Sequence, residues 1–155
     1  MNKEELMRLA VNLACENVKN GGGPFGAVIT KDNNVVSTGV NRVTADDDPT
    51  AHAEINAIRI ACRKLGTFNL SGYEIYTSCE PCPMCLGAIY WAHIDIIYYG
   101  CSKEDAAAAG FDDSFIYHEL SLSPANRAKV MQQLLPHEAL AAFKLWDSIP
   151  DKKTY

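Results

Sequence analysis

From Glu4 to Lys19 the apolar side chains Leu6, Leu9, Ala10, Leu13 and Ala14 recur three and four residues apart, which predicts an amphipathic helix. Gly21-Gly22-Gly23-Pro24 ends it. The stretches Phe25 to Thr30 and Val35 to Val40 are rich in β-branched residues and are separated by the turn-forming Lys31-Asp32-Asn33-Asn34, so they are expected to pair as a hairpin. A polar loop then leads to Thr50, the expected N-cap of a second helix on which Ile55, Ile58, Cys62 and Leu65 trace one face and which stops near Gly66. A short strand over Glu74 to Thr77 precedes a third helix opening close to Cys82, with Pro83 tolerated in its first turn, and Ile94 to Tyr99 is the next strand. Beyond Gly110 the pattern weakens: Pro124 to Leu134 and Pro136 to Trp146 are expected to be helical, and Asp147 to Tyr155 a free tail. Strands alternating with helices predict an α/β layered architecture with a mixed sheet, because strands separated by a helix tend to run parallel.

A chain of 155 residues suits one hydrophobic core, so residues 1–155 are expected to form a single domain. Its net charge is -5, with no basic run, which gives no basic surface for a phosphate backbone and argues against a nucleic-acid partner. No segment approaches the roughly 20 apolar residues that cross a bilayer, and the N-terminus lacks an export signal, so a cytoplasmic protein without a membrane partner is expected. Three of the six cysteines crowd into residues 79–85. In a reducing compartment that crowding reads as metal binding before disulfide bridging.

Two short pieces carry the candidate chemistry. His52-Ala53-Glu54 opens the second helix, and Pro81-Cys82-Pro83-Met84-Cys85 opens the third. Cysteines three apart in a first helical turn point to one side, and the positive end of the helix favours their thiolates. Two thiolates and one neutral imidazole leave one tetrahedral position for water, as catalytic zinc sites do. Glu54 is then the expected proton carrier: it can take the water's proton, protonate a ring nitrogen of a substrate and protonate a departing amine. Either piece alone has a plain reading, His52 as an ordinary helix residue and the cysteine pair as a redox motif; together they point to a metal. Two rivals remain. Cys79, Cys82 and Cys85 begin an iron–sulfur spacing, but Ile89 and Tyr90 stand where that run needs cysteine and proline. A non-catalytic structural zinc module would need a fourth ligand, and His93, His118 and His137 lie on other elements.

The His-x-Glu and Pro-Cys-x-x-Cys pairing is the zinc deaminase signature, and through residues 48–55 and 77–85 the sequence resembles the cytidine deaminase superfamily. Gly23-Pro24-Phe25-Gly26-Ala27-Val28, residues 86–92, residues 109–117 and the ending Lys152-Lys153-Thr154-Tyr155 extend that resemblance to the small bacterial guanine deaminases over nearly the whole chain. The resemblance implies a three-layer cytidine deaminase-like fold, a mixed central sheet flanked by helices, one zinc ion per subunit, and hydrolysis of guanine to xanthine and ammonia. It implies that Phe25 stacks on the purine, Asn41 hydrogen-bonds its polar edge, Ala53 contacts it, Asp113 accepts from its N–H groups and helps move protons, and Tyr155 closes the pocket. It also implies a homodimer that exchanges C-terminal segments, so that Tyr155 serves the neighbour's site.

Read from the residues alone, Phe25 is as well explained by core packing, Asn41 by a turn, Asp113 by solvation and Tyr155 by a frayed end; the choice between Asp112 and Asp113 stays open. Trp91 and Phe111 are further candidates for aromatic walls. Deaminases of tRNA adenosine share the Asp-Pro-Thr-Ala-His-Ala-Glu segment. Six lysines and arginines against eight acidic residues after Gly100 favour a free base over RNA, while cytosine and nucleosides stay open as substrates.

Overall fold

The computed structural model describes residues 1–155. Asn2 opens α1 (Lys3–Lys19) with a capping box, accepting from the Glu5 amide while the Glu5 carboxylate accepts from its own. Strands β1 (Gly26–Lys31) and β2 (Asn34–Val40) form the expected hairpin. Its two turn residues, Asp32 and Asn33, both have positive φ, the backbone that matches strand twist in a tight turn. Next come α2 (Ala53–Leu65), β3 (Glu74–Cys79), α3 (Pro83–Trp91), β4 (Ile96–Cys101) and α4 (Lys103–Ala108). The chain then enters α5 (Ser114–Ser121), a short 3-10 turn at Pro124–Asn126 and α6 (Pro136–Ser148).

The sheet order is β2-β1-β3-β4. β1 runs antiparallel to both neighbours and β3 parallel to β4, so the sheet is mixed. β2 and β3, joined through α2, point the same way, but β1 lies between them. Alternating side chains divide the core into two layers. Val28 and Tyr76 pack with Leu6 and Ala10 of α1 on one face; Ala27, Ile29 and Ile75 pack with α2 and α3 on the other. Helix, sheet and helices therefore make the three layers expected for a cytidine deaminase-like fold.

On α2 the fully buried line is Ala53, Ala57 and Ala61, four residues apart, and not the line Ile55, Ile58, Cys62 and Leu65 expected from hydrophobicity. The cause is close approach. A Cβ on Gly39 of β2 would run into the Ala53 carbonyl and come within 2.6 Å of the Ala57 nitrogen. Only small side chains let the helix sit so near the strand; Ile58 and Cys62 fill the flank.

The chain divides into two compact units, Met1–Ser114 and Phe115–Tyr155. The sheet and its helices belong to the first. No residue of the second is buried, and Leu134, Phe143 and Leu145 are among its exposed apolar side chains. No helix of the chain is long and apolar enough to cross a membrane.

Several expected boundaries shift. Thr50 is not the cap of α2: its amide and hydroxyl both turn to Asp48 Oδ1, and His52 takes the cap position. Residues 124–134 are not a helix. After the 3-10 turn, Arg127 donates to the Glu119 and Leu122 carbonyls and the Ala128 amide to the Glu119 carboxylate, bonds that fold the backbone back towards α5. The tail is tied at least at Lys152, which donates to Asp147.

Candidate metal centre

His52 and Cys82 occupy equivalent places: each is the extended residue immediately before a helix, His52 before α2 and Cys82 before α3. Neither side chain caps the helix it precedes. Both are instead turned to a common point, to which Cys85, in the first turn of α3, adds a fully buried sulfur. The His52 Nδ1 lies 3.6 Å from Cys82 Sγ and 3.5 Å from Cys85 Sγ. The three ligand atoms all fall within 4.8 Å of one another, and no other His, Cys, Asp or Glu joins the group. Three donors without a fourth are the protein's share of a catalytic site, not of a closed structural one.

The electrostatics fit a dication. The neighbouring Cys85 thiol and the His52 imidazole pull Cys82 down to about 4, and the Cys82 sulfur in turn raises His52. Cys85 is pushed far up by the sulfur beside it and by burial. The protein alone therefore holds one thiolate there and resists a second, whereas two positive charges among the donors would stabilise both.

Glu54 follows one residue into α2, 7% exposed. Burial raises its pKa, opposed by its own backbone N–H and by the Cys85 thiol. A buried carboxyl with a raised pKa, set beside a metal-binding group, is suited to accept and return protons. Ala53, between His52 and Glu54, is buried. As the first residue of α2 its N–H has no acceptor within the helix.

Cys79, the third cysteine of the cluster, takes no part in the group. It ends β3 opposite Cys101, its thiol points to the Ser102 carbonyl, and burial pushes it up to about 11. The iron–sulfur reading fails with it. Cys79 lines a cavity with Phe25, Ser78, Cys101 and Phe111 in its wall.

The other expected contacts divide. Phe25 leads into β1 and meets Phe111 edge to face, ring centres 5.0 Å apart, so both aromatic candidates stand together. Asn41, just past β2, is buried, and its side chain closes an Asx turn on the backbone two residues on, as a turn asparagine does. Its Oδ1 accepts from the Val43 amide, which fixes the orientation of the side chain and leaves its Nδ2 without a protein acceptor. Asp112 is exposed and accepts from the Ser114 amide in an Asx turn ahead of α5. Asp113 is half-buried; burial raises its pKa first, then the charge of Cys82. Of the two, Asp113 is the one that feels the metal donors. Trp91 ends α3, the helix whose start carries the thiols, and is 66% exposed. Tyr155 closes the second unit and is exposed.

Three residues beyond the motifs shape the site. Asn17 donates to the Gly23 and Asn41 carbonyls, Asn56 to the Val40 and Ala51 carbonyls, and Gly39 lets α2 approach. Single asparagines and glycines carry no periodic signal that a sequence could reveal.

A histidine-cysteine-cysteine group at two helix starts with a buried carboxylate beside it defines a zinc-binding deaminase. The chain belongs to the family of the cytidine and deoxycytidylate deaminase zinc-binding region, whose model matches residues 1–101. Within that family it is 51% identical to the guanine deaminase of Bacillus subtilis (strain 168), over 100% of both chains. The X-ray structure of guanine deaminase from Bacillus subtilis superposes with a TM-score of 0.97 over 100% of this chain and 99% of that one. The guanine deaminase from Nitrosomonas europaea superposes with a TM-score of 0.70 at 32% identity, covering 81% and 69%. The tRNA-specific adenosine deaminase of Haemophilus influenzae is 35% identical over 85% of this chain and 80% of its own.

Proposed function

We propose that this chain is a zinc-dependent guanine deaminase, which adds water at C2 of the free base and releases xanthine and ammonia. The observation that carries the reading is the buried Glu54 beside His52, Cys82 and Cys85, in a chain whose full length matches a guanine deaminase. Zinc bound by those three side chains supplies the Lewis acidity that makes water nucleophilic near neutral pH. Glu54 takes one proton of the attacking water and passes it to the ring nitrogen beside C2, then takes the second from the hydroxyl now on C2 and gives it to the amine as that leaves. Asn41 Nδ2 donates to an acceptor on the purine edge, Asp113 accepts from an N–H, and the Phe25 and Phe111 rings flank the base.

The chain works as one domain, residues 1–155, completed by a second copy. The exposed apolar side chains of residues 115–155 support an exchange of this segment between subunits, which brings Tyr155 to the neighbour's site. Six free thiols suit the reducing cytoplasm, and the acidic balance suits a free base over tRNA.

Ammonia release measured across guanine, adenine, cytosine, cytidine, guanosine and a tRNA anticodon stem tests the substrate; release fastest from any compound but guanine overturns it. Mixing inactive Glu54→Gln with a variant ending at Thr154 tests the exchange. A swapped heterodimer contains one site with both groups intact and regains activity, whereas unswapped subunits stay impaired.

A further inference from the structure

We propose that Asn17 and Asn56 are positioning residues that set the Asn41 side chain against the metal group. The proposal rests on the reading of Asn41 as a purine contact. Asn17 belongs to α1 and Asn56 to α2, on opposite faces of the sheet. Asn17 Nδ2 donates to the Gly23 carbonyl at 2.8 Å and the Asn41 carbonyl at 2.8 Å. Asn56 Nδ2 donates to the Val40 carbonyl at 2.9 Å and the Ala51 carbonyl at 3.2 Å. An amide nitrogen has two hydrogens, so both donors of each nitrogen are used, and an oxygen in either place would face two carbonyl oxygens. The consecutive carbonyls of residues 40 and 41 are thus gripped from the two helix layers at once.

Each grip reaches a different part of the site. The Gly23 carbonyl that Asn17 holds also accepts from the Phe25 amide, and Gly23 packs 3.0 Å from the Asn41 side chain, measured from where a Cβ would stand. The Asn41 amide donates to the Phe25 carbonyl. Asn17 therefore joins the aromatic wall to Asn41. The Ala51 carbonyl that Asn56 holds lies one residue before His52 and also accepts from the Arg42 amide. Asn56 therefore joins the same segment to the metal ligand. Between them the two amides fix the separation of purine edge and metal, the dimension on which attack at C2 depends.

The test is Asn17→Asp, which presents an acceptor to two carbonyls, measured in the zinc-loaded full chain with Asn20→Asp as a charge control on the exposed end of α1. Asn17→Asp is expected to raise KM for guanine about tenfold, with kcat within about threefold and zinc still at one per chain, since placement is lost and the metal is not. In an Asn41→Ala background the same substitution is expected to change KM by less than about threefold, because the Asn41 contact is already gone and only the Phe25 segment is left to disturb. Asn56→Asp is expected to behave alike in both backgrounds. A lowered active fraction with unchanged KM, or a full tenfold effect that persists in Asn41→Ala, overturns the proposal. If Asn41→Ala itself leaves KM unchanged, the purine-contact reading falls and the proposal with it, distinguishably from failure of the clamp alone. Should Asn17→Asp not fold, Asn17→Ser, whose hydroxyl donates to one carbonyl, is read the same way with an expected rise of about threefold.

Discussion

Replacing Glu54 by Gln keeps the shape of the side chain and removes its proton traffic. The carboxyl is 7% exposed, so bulk water has little access to take over its transfers. One positioned acid or base contributes about 10²- to 10⁴-fold, and because Glu54 serves several transfers of one turnover the loss is expected at or above about 10⁴-fold. That is about 5.4 kcal/mol on the barrier. Folding should not suffer. Burial opposes the charged form of Glu54, and a neutral amide avoids that cost, so the melting temperature should hold or rise. Glu54→Asp keeps the acid but withdraws it by about one carbon–carbon bond, for which about 10²-fold is expected. The assay is steady-state ammonia release alongside zinc content by atomic absorption. Turnover within about tenfold of the parent in Glu54→Gln would refute the role. Loss of zinc at the same time would mean that Glu54 supports the metal and not the chemistry.

Gly39→Ala forces a methyl against the Ala53 carbonyl and the Ala57 nitrogen; it should cost more than about 2 kcal/mol in guanidinium unfolding and lower zinc occupancy, since Ala53 adjoins His52. An unchanged unfolding midpoint would mean that α2 yields freely. Stripping zinc with a chelator should make Cys82 the fastest thiol to alkylate. Its thiolate, with a pKa of about 4, is fully formed from about pH 6 upward, so its rate should be flat there, while Cys79 at about 11 should accelerate about tenfold per pH unit; peptide mass mapping checks both. Asp113→Asn should raise KM for guanine with zinc retained. Asp112→Asn, altering only an Asx turn, should shift stability by at most about 1 kcal/mol and leave KM alone, and the reverse pattern would exchange their roles.

Much of the first unit was legible because its signals are local and periodic. The stripe of Leu6, Ala10 and Ala14, the hairpin, and the two motifs at helix starts all stand where the sequence predicts. What escaped depends on contacts distant in the chain. The insertion of β1 between β2 and β3 is a matter of pairing, not of pattern, and the alanine face of α2 is dictated by a glycine on another strand. Helix α4 carried a readable capping box, Ser102 with Asp105, that hydrophobic periodicity alone passed over. Residues 124–134 misled in the other direction: their composition suits a helix, but the side chains of Arg127 and Glu119 bond the backbone into a different path. Asn41 does close a turn, but nothing in Gly39-Val40-Asn41 tells of its burial between the helices on either side.

The absent caps of α2 and α3 have a further consequence. A serine or aspartate in those places would hold the opening turn of each helix by itself; here the same positions are given over to metal donors. Local order at two helix beginnings thereby becomes a function of occupancy, and hydrogen exchange at residues 53–55 and 84–85 should quicken together when the ion is withdrawn. An unloaded molecule would be loosened at the very turn that carries its proton carrier.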